Sequence, residues 1–150
     1  MSHRHLARIL LGVGIAVIAA SPGFAGQPTV VQVEEWNKPD GSQGITVTPS
    51  QVPPGKVVFK VHNVSKDETH ELLVVKTDMP PEQFQPESDN PTKVDESKLG
   101  SVKELPHDLK PSQSAKLTLT LAPGQYVLMC NQPGHFMAGM HSMLMVMKQG

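Results

Sequence analysis

From Thr29 onward, apolar and polar residues alternate in short runs broken by proline and glycine. The runs are TVVQVEEW (29–36), GITVTP (44–49), KVVFKVHN (56–63), ELLVVK (71–76), AKLTLTL (115–121), QYVLMC (125–130) and SMLMVMK (142–148). Val57, Phe59 and Val61 share one face of their run, and Leu117, Leu119 and Leu121 share one face of theirs. A two-residue repeat puts alternate side chains on opposite sides of an extended chain, the mark of a half-buried strand rather than a helix. Their enrichment in Val and Thr suits a pleated surface. Pro39-Asp-Gly, Pro53-Pro-Gly55 and Pro123-Gly124 punctuate the runs as turns. About seven short strands so spaced predict an all-β sandwich or barrel.

Two stretches leave this rhythm. Residues 77–100, TDMPPEQFQPESDNPTKVDESKLG, are polar, hold four prolines and show no alternation. They are expected to be a solvated insertion, which costs a domain little stability, with Asp78 starting a short helix ahead of Pro80-Pro81-Glu82. Residues 1–25 are laid out differently. Arg4 and Arg8 precede an apolar run, LLGVGIAVIAA, and Gly23 and Ala25 place small residues ahead of a cleavage point. That order predicts a signal peptide cleaved after Ala25, with residues 26–150 forming one exported, periplasmic domain. The apolar run is too short to cross a hydrocarbon core of ~30 Å, so no membrane span is expected in the mature chain.

Composition narrows the partners. Thirteen Lys and Arg against fourteen Asp and Glu give a net charge of −1. This is not the charge imbalance of a nucleic-acid or anionic-membrane binder. The chain has one cysteine, Cys130. In an oxidising compartment a lone thiol has no internal partner. It is left as a buried thiol, an intermolecular bridge, a nucleophile or a metal ligand.

Cys130 opens the segment CNQPGHFMAGMHSMLMV, which collects two of the histidines and four of the eight methionines. Cys130, His135 and Met140 stand as C-x4-H-x4-M on the loop joining the last two strands, with Pro133 and Gly134 turning it. Thiolate, imidazole and thioether together favour copper, and two His with one Cys and a weak axial Met make the blue-copper electron-transfer set. A second histidine is then required. His70 is best placed, at the end of HNVSKDETH and directly before the strand ELLVVK. His62 lies within a strand, opposite Val57, Phe59 and Val61, and His107 lies in the polar turn LPHDLKPS; both are expected to face solvent. Met143, Met145 and Met147 alternate with Leu144 and Val146 and are expected to pack in the core, where Met fills irregular gaps. Val127 and Met129 should share a face opposite Tyr126, Leu128 and Cys130.

His70 together with the C-terminal segment resembles the cupredoxins, the family of plastocyanin, azurin and rusticyanin, and PGH followed by GM is similar to the azurin-type loop. The resemblance implies a Greek-key β-sandwich of seven to eight strands that carries 77–100 as an insertion. It implies His70, Cys130, His135 and Met140 as ligands of one copper ion, cycling between Cu(I) and Cu(II). Met137, His141 and Met143 stay open for the axial place. It also implies a non-enzymatic carrier of single electrons that meets redox partner proteins transiently at the apolar FMAGM loop beside His135. Copper storage, delivery or resistance is the alternative. An oxidase or binuclear centre would need paired His-x-His ligands or a second cysteine, and residues 26–150 hold neither. One departure stands out: Glu71 follows His70, where the best-known members have an Asn tying the two ligand loops together.

Overall fold

The computed structural model describes residues 27–148; the signal peptide expected over residues 1–25 lies outside the described residues. Among the described residues nine strands form: β1 (Thr29–Asn37), β2 (Gln43–Thr48), β3 (Gln51–Val52), β4 (Gly55–Asn63), β5 (Leu73–Lys76), β6 (Ser101–Glu104), β7 (Ser114–Leu121), β8 (Gly124–Met129) and β9 (His141–Val146). One sheet runs β2-β1-β4-β7 and the other β3-β9-β8-β5-β6. Both are mixed, with β1 parallel to β4 and β3 parallel to β9.

Alternation decides what each sheet gives the core. Val31 and Val33 from β1 and Val57, Phe59 and Val61 from β4 meet Val74, Tyr126, Leu128, Leu144 and Val146 from the other sheet, with Leu72 just ahead of β5. Fully burying side chains of this size stabilises by about 1.5–3 kcal/mol each. Cys130 and Met140 belong to the same buried cluster, at the end where the ligand-bearing loops leave the sheets. Glu35 also turns inward, two residues beyond Val33, and is fully buried.

The seven expected strands are present, and β3 and β6 are added to them. Two further expectations are corrected. Residues 77–100 are not simply solvated. Phe84, Val94 and Leu99 form a second buried cluster with Leu73, Val75, Val127, Met129 and Phe136, so the segment covers the outer face of β5 and β8. It also carries two 3-10 turns, Pro81–Gln83 and Glu96–Lys98, and the first begins after Pro80 without a side-chain cap from Asp78. On β9, Leu144 and Val146 turn inward, while Met143, Met145 and Met147 are 36%, 36% and 50% exposed. The methionines share a face as the alternation required, but it is the outer one. Val127 and Met129 do lie opposite Tyr126, Leu128 and Cys130, in the second cluster rather than the first.

Candidate metal centre

His70 sits at the end of a loop built around one side chain. The Asn63 amide donates to the carbonyls of Glu68 and Leu109, both at 2.8 Å, and accepts from the backbone N–H and hydroxyl of Ser65. His70 then pairs its backbone with Leu109 in both directions, at 3.0 and 2.7 Å. The result is a fully buried imidazole held by main-chain bonds rather than by its own ring.

The second loop closes on itself. Cys130 N donates to Met140 O at 3.1 Å, and Met140 N donates to His135 O at 3.0 Å. Gly134 turns the loop at φ +85°, a left-handed conformation that glycine adopts without a Cβ clash, and its N–H reaches Thr92 O at 2.8 Å. Phe136 stacks on Phe84 with ring centroids 5.6 Å apart.

These two loops bring three donors together. His70 Nδ1 lies 3.2 Å from His135 Nδ1, and Cys130 Sγ lies 4.0 Å from the first and 3.4 Å from the second. A triangle of those sides has a circumradius of about 2.1 Å, and metal–nitrogen and metal–sulfur bonds run from about 2.0 to 2.3 Å. The residues therefore fit one ion. Met140 is fully buried within the same cluster as Cys130, whereas Met137 is 52% exposed and Met143 faces outward.

The surroundings are unusual in their acidity. Burial pushes the Cys130 thiol up to about 12, with the N–H of Glu71 donating to its sulfur at 3.4 Å and pulling the other way. A bound cation reverses this order, because a coordinating thiol is deprotonated outright; metal binding then releases the proton and strengthens as pH rises. Burial, and then the neighbouring His135, bring His70 down to about 4. His135 is lowered by burial too, against the pull of Glu68, whose carboxylate lies 3.4 Å from His135 Nε2. A carboxylate on the far nitrogen of a ligating imidazole fixes its tautomer and leaves the near nitrogen free to bind. Glu68 is itself held by Gln43 Nε2 at 2.8 Å.

Glu71 is raised to about 7 by burial and by Asp108, with Lys93 and then the Asn131 N–H offsetting part of the shift. Glu35 is raised to about 8, first by burial and then by Glu71 and Asp108, and neither of its oxygens has a hydrogen-bond partner. Between the ordinary value of 4.5 and about 8 the unfolded chain has lost this proton and the folded chain keeps it. Stability therefore falls as pH rises through that window. Glu35→Gln should flatten the slope, read as melting temperatures of the metal-free protein at the two ends of the window. An unchanged slope would clear Glu35 of the effect.

Of the remaining expectations, His62 stays outside the centre: its Nδ1 lies 2.8 Å from Ser114 Oγ, on the outer face of β4. His107 is exposed. The apolar loop beside His135 is only partly a surface, since Phe136 and Met140 are buried while Met137, Ala138 and Gly139 are exposed. Sequence reasoning missed Glu68 and Asn131. Asn131, fully buried, accepts from Val94 N at 2.7 Å and donates to Val94 O at 3.0 Å and Glu96 at 2.8 Å.

Solved structures with this architecture include a reduced auracyanin from the photosynthetic bacterium Roseiflexus castenholzii. It is 22% identical, covers 81% of this chain and 98% of its own, and has a TM-score of 0.51. Rusticyanin from Thiobacillus ferrooxidans is 18% identical over 81% of this chain and 79% of its own, with a TM-score of 0.53. At these identities the likeness is one of fold. No curated protein sequence matches the chain. The model of the copper-binding proteins of the plastocyanin/azurin family does match, over residues 46–147, more than half of the chain, and it takes in both ligand-bearing loops. The chain belongs to that family, and copper is its cofactor.

Proposed function

We propose that the protein is an exported, non-enzymatic carrier of single electrons that holds one copper ion through His70, Cys130, His135 and Met140. The convergence of two imidazole nitrogens and one sulfur on a single buried point carries this reading. When bound, copper supplies a Cu(I)/Cu(II) couple that gains or loses one electron without making or breaking a bond. The chain's own residues set the terms. Main-chain pairing holds His70, and the Glu68 carboxylate orients His135. Burial of Cys130 and Met140 keeps water from the sulfur donors. The Met140 thioether, soft and uncharged, favours Cu(I) over Cu(II) and so raises the potential relative to an oxygen donor.

Redox partners would meet the protein where His135 comes nearest the surface, at the exposed Met137, Ala138 and Gly139. Residues 1–25 would direct it to the periplasm, with cleavage after Ala25. The copper-loaded, air-oxidised protein should show an intense visible band and a type 1 EPR signal that fade on reduction. A colourless protein retaining Cu(I) in air would favour copper storage or delivery instead. Met140→Gln should lower the reduction potential while keeping the band, and an unmoved potential would shift the axial role to Met137, His141 or Met143.

A further inference from the structure

The centre leaves unused a row of exposed soft donors. His141, Met143, Met145 and Met147 occupy alternate positions at the C-terminal end of the chain and so share the outward face of β9 and its extension. Residues 77–100 cover the neighbouring β5 and β8 on that side through Phe84, Val94 and Leu99 but leave the methionines exposed. An outward strand face is ordinarily polar, and the outward positions of β7 are Ser114, Lys116, Thr118 and Thr120. On β9 thioethers stand in their place. The stripe starts beside the ligand loop: His141 follows Met140 directly, and its ring packs at 5.0 Å on Phe136.

We propose that the outer face of β9 is a second metal site, selective for the soft monovalent ion Cu(I), held by the neighbouring thioethers of Met143 and Met145. Same-face neighbours on a strand lie about 6.8 Å apart along the chain. Methionine has three rotatable bonds, enough to bring the two neighbouring sulfurs of Met143 and Met145 onto one ion. Thioethers select Cu(I) over the harder divalent ions, and no carboxylate stands on the stripe to attract those ions. The site is distinct from the buried centre, since its donors point away from Cys130.

The test is a titration of the purified metal-free protein with Ag(I), a redox-inert stand-in for Cu(I), followed by NMR of 13C-labelled methionine methyl groups. Two equivalents should saturate, one moving Met140 and the other moving Met143 and Met145. Met143→Thr with Met145→Thr, substitutions suited to an exposed strand, should weaken the second equivalent at least tenfold and leave the Met140 response intact. Methyl groups of Met143 and Met145 that stay still, or drift without saturating as an adventitious ion would make them, overturn the proposal. So does a double variant that binds the second equivalent as tightly as the parent. A silent Met140 with saturating Met143 and Met145 would instead sink the buried ligand set and leave this site standing.

Discussion

Cys130→Ser should yield a folded but colourless protein that loses copper on gel filtration. The thiolate is the only anionic donor among the four proposed ligands, and it is the group whose bond to Cu(II) absorbs strongly in the visible. A serine hydroxyl is neutral at working pH and a poor partner for Cu(I). The loss should exceed the 10–100-fold that follows from disturbing a residue behind a ligand. Folding should survive. Burying a hydroxyl costs about 1–3 kcal/mol against a typical total of about 5–15 kcal/mol, and the Glu71 N–H that now donates to Sγ can donate to the new oxygen. Circular dichroism melting separates the two effects. A visible band that persists in a folded variant would remove Cys130 from the centre.

The centre was legible because its chemistry is concentrated. One cysteine, an imidazole five residues on and a thioether five further are close in the chain, so the loop alone brings them near one another. His70 was reachable by topology, since it precedes a strand that lies next to the strand ending before Cys130. What was not legible depended on which surfaces meet. Alternation put Met143, Met145 and Met147 on one side of β9 but could not say which, although the branched Leu144 and Val146 on the other side were the better core candidates. The same alternation in β1 puts Glu35 in line with Val31 and Val33, so its burial is written in the sequence. Strands β3 and β6 are two and four residues long, too short for a period to register. In residues 77–100 the apolar Phe84, Val94 and Leu99 fall at irregular spacings, so no helical or strand repeat announces the surface they bury.

That last segment explains how the ligand loop is held when the residue after His70 is Glu71 rather than the amide expected there. The brace has moved to the residue after the cysteine. Asn131 clasps Val94 through both its N–H and its carbonyl, Gly134 N–H bonds Thr92 O, and Phe136 stacks on Phe84. All three contacts join the Cys130–Met140 loop to residues 77–100. Asn131→Ala would strand the N–H and carbonyl of Val94, which is fully buried. Each buried group left unpaired costs about 1–3 kcal/mol, so the variant should lose about 2–6 kcal/mol of stability, among the larger single-residue effects. With the loop loosened, copper affinity should also fall 10–100-fold and the EPR lines should broaden. Glu96→Gln is the control: it keeps an oxygen for the Asn131 amide at the half-buried end of the clasp, and should change stability by less than about 1 kcal/mol. If Asn131→Ala melts and binds copper as the parent does, residues 77–100 are no brace, and the loop is held by Cys130, His135 and Met140 main-chain bonds alone.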